Sequence, residues 1–121
     1  LSIFKLKMEL LTILAQIIIA VTILIVWVFR FDNIQLEFKQ YGLSDLTRSI
    51  VGAAKISLST LLIVGIWHSE LILIPTLGIA FLMLCALYAH FSVRNPIAKY
   101  LPAIGLLCLS LLIAASELNI I

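Results

Sequence analysis

Charged residues are scarce in this sequence of 121 residues: they make up 12% of it, while 64% is hydrophobic. Soluble domains average about 25% charged and about 45–50% apolar residues. A domain of this size leaves much of its surface exposed, so a soluble fold could not hide so many apolar side chains. A net charge of only +2 gives no electrostatic basis for a nucleic-acid partner. The composition therefore predicts an integral membrane protein, rather than a soluble, disordered or nucleic-acid-binding domain.

The sequence has only two cysteines, Cys85 and Cys108, and both lie in apolar runs. They form no CxxC pair and no Cys/His spacing typical of zinc, so we predict no metal site. We expect both thiols to pack as small hydrophobes, because burial in lipid suppresses thiolate chemistry. Walker, GxGxxG, HExxH and GxSxG motifs are missing as well. Their absence argues against a self-sufficient hydrolase or nucleotide enzyme, and we do not expect the chain to be an enzyme by itself.

Long apolar runs are what the sequence has instead. About 20 mostly apolar residues are needed to cross about 30 Å of hydrocarbon as a helix. Four segments meet or approach this length, at roughly residues 8–29, 49–67, 71–91 and 100–115. The one long connection follows the first of them, and we expect it to lie at the interface or to fold over the bundle. We predict an all-α fold with a single domain over residues 1–121: an integral membrane four-helix bundle with short loops and one longer interfacial loop after span one.

Lysine and arginine are divided unevenly between the two ends of such a bundle. The connections after spans one and three carry five of the eight basic residues, namely Arg30, Lys39, Arg48, Arg94 and Lys99. The other end carries Lys5 and Lys7, and Lys55 lies inside span two. Because cytoplasmic loops are enriched in basic residues, we predict that loops 30–48 and 92–99 are cytoplasmic and that both termini lie outside. The cell (inner) membrane is the expected location.

Small residues recur at helical spacing and indicate how the helices associate. In lipid, close backbone approach and interhelical hydrogen bonds drive association. Small residues occur four apart in spans two and four, as Ser49, Ala53 and Ser57 and as Ser110 and Ala114. Span three has the same spacing in Thr76 and Ala80, and Gln16 lies in the interior of span one. We expect the small residues to mediate helix packing and Gln16 to form an interhelical hydrogen bond.

Lys55 is the most informative polar residue. It lies six positions into span two, roughly 8–9 Å below that end at the helical rise per residue. A charge inside the bilayer is costly and is commonly functional. All six acidic residues fall in loops, termini or span edges, so Lys55 has no obvious carboxylate partner. Three alternatives stay open: snorkelling to the interface, hydrogen bonding by Ser59 and neighbouring helices, or contact with an anionic ligand or lipid headgroup.

Antiparallel threading brings the end of span three to the same membrane face as the start of span two. We expect Lys55, Tyr88 and His90 to lie near one mouth of the bundle, with Arg94 and Tyr41 as further candidates. His90 is a candidate for ligand binding or proton transfer, because histidine titrates near neutral pH. The alternative is an interfacial histidine hydrated by water and headgroups. His68 lies at the end of span two, at the opposite membrane face and about 30 Å away. The two histidines therefore cannot share a haem within one chain.

Three short patterns resemble the DoxX-like family of small four-span membrane proteins. They are the loop Tyr41-Gly42-Leu43-Ser44, the opening of span two at Gly52-Ala53-Ala54-Lys55, and the pair Ala86 and His90. The resemblance covers roughly residues 42–115 and implies that Lys55 and His90 occupy positions the family favours. The family is functionally diverse. Some members are subunits of a thiosulfate–quinone oxidoreductase, some are linked to redox stress, and eukaryotic members assist the assembly of other membrane proteins.

Three functional hypotheses follow. The first is a noncatalytic accessory or assembly subunit that docks against a larger membrane complex, such as a respiratory or other electron-transfer complex. The alternative is a quinone- or sulfur-linked oxidoreductase subunit with a polar pocket around Lys55 and His90, for which quinone is the candidate cofactor. Lysine would stabilise negative charge on a reduced ligand oxygen and histidine would move the proton. The third, a lipid or small-anion binder or transporter, would require an oligomer.

Overall fold

The computed structural model describes residues 2–121, and within that range the chain is almost entirely helical and contains no strand. The helices are α1 (Ile3–Leu24), α2 (Phe31–Tyr41), α3 (Asp45–Val64), α4 (Leu73–Ser92) and α5 (Leu101–Glu117). A π-helical turn, Ile25–Phe29, extends α1, and short 3-10 turns precede α4 and α5 at Ser69–Leu71 and Ile97–Lys99. Four apolar helical stretches are long enough to span a membrane: 3–29, 45–64, 69–92 and 97–117. The predicted all-α membrane bundle is confirmed.

Local sequence signals set where these helices begin and end. Ser2 caps α1, its hydroxyl accepting a hydrogen bond from the backbone N–H of Lys5. Ser44 caps α3 in the same way through Thr47, and Asp45 adds a negative charge at the positive end of the helix dipole. Gly42 ends α2 with a φ of +78°, a left-handed conformation that glycine adopts without a steric penalty. Span boundaries therefore agree with the sequence to within a few residues, except that α1 starts earlier.

The connection between the first two spans is helix α2, whereas the sequence predicted an interfacial loop there. Its apolar residues Ile34 and Phe38 are spaced four apart and face the bundle, with Ile34 buried and Phe38 packed against the core. α2 contacts α3, α4 and the π-helical turn. The segment is therefore folded over one end of the bundle, which was one of its two expected positions. The amphipathic spacing explains why the segment is helical rather than extended.

Helix packing uses some of the predicted small residues and not others. Ser110 and Ala114 of α5, and Thr76 and Ala80 of α4, are all buried, in keeping with the extensive packing between these two helices. The Ser49, Ala53 and Ser57 stripe of α3 is exposed instead. The inward face of α3 carries Gly52, Ser59 and Leu62. The spacing of small residues identifies a helix face, but it does not show which neighbour that face contacts.

Lipid-facing surfaces of the bundle remain strongly apolar. Leu14 on α1, Ile74 and Phe81 on α4 and Leu111 on α5 are all exposed. Soluble monomers rarely expose continuous apolar surface of this kind. Cys108 lies on this outer surface, while Cys85 is exposed on α4, and both thiols are free. The fold therefore matches a protein whose outer surface is solvated by acyl chains.

Gln16 links α1 to α3, as expected from its place inside span one. Its side chain is 1% exposed, and Nε2 donates a 2.8 Å hydrogen bond to the backbone oxygen of Leu62. We predict that Gln16→Leu lowers the free energy of unfolding by about 0.6 to 1.7 kcal/mol, the range measured for such bonds between membrane helices. Titration of the purified protein with a denaturing detergent measures this change.

The matched control is Gln35→Leu. Gln35 lies on α2 and its side chain makes no hydrogen bond within residues 2–121, so the same substitution should leave stability close to that of the wild type. Equal losses in the two variants would contradict a specific contribution from the bond between α1 and α3.

Candidate functional site

A cavity of about 560 Å³ lies beneath α2, between the ends of the spanning helices. Its walls come from the end of α1 and the π-helical turn, from α2, from the first turns of α3, from α4, and from the start of α5. Most of the wall is apolar, including Trp27, Ile34, Phe38 and Leu106. Polar side chains are also present, and they are Thr22, Arg30, Asn33, Glu37, Tyr41, Lys55, Cys85, His90 and Lys99. The cavity is therefore both apolar and charged, which is a common feature of ligand sites.

Lys55 contributes a cation to this cavity. Its Nζ lies 5.1 Å from the centre of the Trp27 ring, within the range of a cation–π interaction. Trp27 in turn packs closely on Gly52, where an added Cβ would lie 2.9 Å from two ring atoms. Within residues 2–121, Lys55 has no ion-pair partner inside 4.0 Å and its ammonium makes no hydrogen bond to the protein. The ammonium therefore retains its capacity to donate to a ligand.

Glu37 is the acidic group of the cavity. It is held on α2 by its neighbours one turn away on either side. Asn33 Nδ2 donates to Oε1 over 2.7 Å, and the Tyr41 hydroxyl donates to Oε2 over 3.0 Å. Sequence reasoning assigned this residue to a loop and missed it. The signal that could have found it is the spacing of Asn33, Glu37 and Tyr41 at four-residue intervals, which places all three on one helix face.

Tyr41 joins α2 to the end of α4. Its hydroxyl lies 3.2 Å from His90 Nδ1, which also lies 2.8 Å from Asn95 Nδ2. Gln40 Nε2 donates to Asn95 Oδ1 over 3.2 Å, closing the network at the surface. Burial, together with the negative charge and hydrogen bond of Glu37, raises the pKa of the Tyr41 phenol above its usual range. Tyr41 therefore stays protonated at physiological pH and acts as a hydrogen-bond donor.

A row of rings supports this network. Trp27 contacts Phe38, Phe38 contacts Tyr41, Tyr41 contacts His90, and His90 contacts Tyr100, with ring centres 5.6 to 5.7 Å apart at each step. Such edge-on and tilted arrangements are favourable for aromatic pairs. The row fixes Tyr41 and His90 with respect to the wall that carries Lys55.

The structure brings together two of the three residues expected at the site. Lys55 and His90 both line the cavity, and His90 is 8% exposed. Tyr88 is 72% exposed and does not line it. It precedes His90 by two positions, which on a helix is a rotation of about 200° to the opposite face. Of the two further candidates, Tyr41 lines the cavity, whereas Arg94 does not.

The fold and the cavity define a class: small four-span membrane proteins with a polar, ligand-sized site covered by an amphipathic helix at one end. Residues 8–113 match the DoxX-like family, and the chain belongs to that family. The match contains Lys55, His90 and the α2 residues of the site. No curated protein and no solved structure matches the chain significantly.

The groups in the cavity can bind and stabilise an oxygen-containing ligand. An ammonium, a phenol and an imidazole can donate or share protons, while a carboxylate can accept them. Within residues 2–121 there is no cluster of three or more His, Cys, Asp or Glu side chains suited to a metal ion. An ammonium, a phenol, an imidazole and a carboxylate in one cavity can perform hydrogen bonding, charge stabilisation and proton transfer.

The contact between Gly52 and Trp27 leads to a prediction about the site. Gly52→Ala places a methyl group against the indole ring and should displace it, at a cost of about 1–3 kcal/mol for overpacking. Gly105→Ala on α5 is the control, since a Cβ there meets no atom within 4 Å. The control should be neutral or stabilising by up to about 1 kcal/mol. Thermal unfolding and Trp27 fluorescence of both variants test this, and identical behaviour would contradict the contact.

Proposed function

We propose that the protein is an accessory subunit of a larger membrane electron-transfer complex, and that it contributes a binding site for a quinone headgroup. The observation that supports this most directly is the Lys55 ammonium, which lies on the Trp27 face beside the cavity and has no ion-pair or hydrogen-bond partner among residues 2–121. A quinone has a flat apolar ring with acceptor oxygens. The cavity offers apolar and aromatic walls for the ring and donors for the oxygens.

The size and polarity of the cavity fit such a ligand. Its volume of about 560 Å³ falls within the range of about 300–1,000 Å³ that is usual for small-molecule sites. Trp27 and Phe38 supply flat surfaces that can stack on a ring. The position of the cavity at one end of the bundle also suits a ligand that enters from the lipid with its head near the interface.

Each polar residue has a role in this proposal. A bound quinone supplies reversible two-electron, two-proton chemistry. Lys55 donates a charge-assisted hydrogen bond to a ligand oxygen and stabilises negative charge there. His90 holds a proton near the same space, and Glu37 balances the charge of Lys55. The apolar walls exclude water, which strengthens these electrostatic interactions.

An accessory role is supported by the outer surface of α3. Its exposed Ser49, Ala53 and Ser57 stripe allows a helix of another protein to approach closely. Electrons for the quinone would come from that larger complex. The same stripe of α3 would contact the partner if the protein assists the assembly of such a complex, or if the complex carries out sulfur-linked oxidation.

A second candidate is the binding of an acidic amphiphile. Arg30, Lys55 and Lys99 line the cavity against the single carboxylate of Glu37. This excess of positive charge favours a ligand with an anionic head and an apolar body.

Quinone binding is testable through Trp27, because quinones quench indole fluorescence on contact. Trp67→Phe removes the only other tryptophan. In this background, in lipid nanodiscs, we expect saturable quenching by a short-chain ubiquinone analogue. Lys55→Met should weaken binding about tenfold or more, since a hydrogen bond to a charged group contributes about 1.5–3 kcal/mol.

Lys39→Met is the control for this measurement, because Lys39 is exposed on α2 and lies outside the cavity. Its affinity should match that of the parent. Absence of saturable quenching, or equal affinities for the Lys55 and Lys39 variants, would contradict the quinone site. A saturable change of Trp27 fluorescence on adding a fatty acid, with no quenching by the quinone, would favour the second candidate.

We propose the orientation of the chain in the membrane from its basic residues. Loops 30–48 and 92–99 lie on the cytoplasmic side of a cell (inner) membrane. The test uses a cysteine-free background, Cys85→Ala and Cys108→Ala, with Lys39→Cys or Lys5→Cys added singly. A membrane-impermeant maleimide should label the Lys5 variant in intact cells and the Lys39 variant only after the membrane is opened, because positive loops are retained inside. The reverse pattern would contradict this orientation.

A further inference from the structure

Polar side chains at the cavity form one continuous row that reaches the surface, in which the single hydroxyl hydrogen of Tyr41 bonds to one of its two neighbours at a time. The row runs from Asn33 to Glu37, then to Tyr41 and His90, and ends at Asn95, which is bonded to the exposed Gln40. Every donor–acceptor distance along it lies between 2.7 and 3.2 Å. Its members come from α2, the end of α4 and the following turn, so the row exists only because α2 is folded over the bundle.

Asn95 determines which nitrogen of His90 carries the proton. Its Nδ2 can only donate, and it lies 2.8 Å from His90 Nδ1. With the amide in this orientation Nδ1 accepts, so the neutral imidazole carries its hydrogen on Nε2. The bond from Gln40 to Asn95 Oδ1 supports this orientation of the amide, because it leaves Nδ2 facing the histidine.

Tyr41 stands between two proton acceptors. Its hydroxyl has one hydrogen, and that hydrogen can be directed at Glu37 Oε2, 3.0 Å away, or at His90 Nδ1, 3.2 Å away. The two distances are nearly equal. A phenol in this position can pass its proton to one neighbour while receiving a proton from the other, and it ends unchanged.

We propose that Glu37, Tyr41 and His90 form a proton path between the cavity and the aqueous face of the membrane, with Tyr41 as the bridge. This inference rests on the proposed function, since it takes a bound quinone as the group that gains or loses protons in the cavity. Reduction of a quinone by two electrons requires two protons, one for each oxygen. The electrons come from the redox group of a partner subunit, or from a soluble reductant in the test below.

Each transfer along the path moves one proton from the aqueous face to the cavity. His90 takes a proton from the aqueous side, and Asn95 turns its amide so that Oδ1 faces the newly protonated Nδ1. The Tyr41 O–H proton moves to Glu37 while the Nδ1 proton moves to the Tyr41 oxygen. The Glu37 carboxyl then gives its proton to a ligand oxygen. Asn95 turns back so that Nδ2 again faces Nδ1. Tyr41, His90 and Glu37 return to their starting states, and one proton has crossed from the surface to the cavity.

Tyr41→Phe separates this path from simple binding, because it keeps the ring and removes only the bridging hydroxyl. Proteins in the Trp67→Phe background, in nanodiscs, are first tested for ubiquinone-analogue binding by Trp27 quenching. The bound analogue is then reduced with dithionite, which is oxidised to sulfite as it supplies two electrons. We expect binding within about twofold of the parent and a reduction rate lower by about 100-fold, the lower end of the effect of a positioned proton-transfer group.

Tyr88→Phe is the matched control, since Tyr88 is exposed near the same end of α4 and lies outside the cavity. It should leave both binding and rate unchanged. Glu37→Gln should slow reduction as Tyr41→Phe does. An unchanged rate in Tyr41→Phe with binding intact would overturn the proton path and leave the quinone site standing, whereas loss of quenching in the parent itself would contradict the quinone site.

A measurement that needs no quinone tests the path directly. His68→Gln leaves His90 as the only histidine. Nitrogen-15 NMR of this variant should show an unprotonated, hydrogen-bonded Nδ1 and a protonated Nε2, and Tyr41→Phe should shift the Nδ1 resonance. A hydrogen on Nδ1, or no shift in the Tyr41 variant, would overturn the proposal whatever the ligand is.

Discussion

A bilayer offers no hydrogen-bond partners, so any charged or polar side chain within it must find one inside the protein. Most of this chain meets that constraint by leaving polar residues out of the spans. Gln16 meets it through its bond to Leu62, while Lys55 and His90 lie together at one end of the bundle, where Lys55 lies on an aromatic face and His90 contacts α2 and the turn after α4. The cavity, the position of α2 and the proposed chemistry all depend on this gathering of polar groups.

Helix α2 completes this cluster of polar side chains. Its apolar face packs on the bundle, while Glu37 and Tyr41 reach the cavity from the same helix. Gly42 ends α2, and Ser44 begins α3 two residues later. This short turn sets the position of α2 over the cavity. Without α2, Lys55 and His90 would share an end of the bundle but would lack both an acid and a bridging phenol.

The sequence predicted the features that depend on local chemistry and on the bilayer. The four spans follow from the length of apolar runs, the capping of α3 follows from Ser44, and the interhelical bond of Gln16 follows from its depth. The placement of Lys55 and His90 at one cavity follows from antiparallel threading. It was harder to predict which side of each helix faces the bundle. Tyr88 lies on the outer face of α4, and the small-residue stripe of α3 faces outward. Glu37 was missed because a polar connection was not recognised as an amphipathic helix.

Membership of the DoxX-like family establishes the type of membrane protein, while the quinone site is a proposal made from the residues that line the cavity. The most direct test is a crystal structure in lipidic mesophase with a brominated quinone analogue, located by the anomalous signal of bromine. A site of the kind described here requires a bromine peak within the cavity, between the Trp27–Lys55 wall and the Tyr41–His90 pair. A cavity filled by rearranged side chains, or bromine found only on the lipid-facing surface, would contradict it.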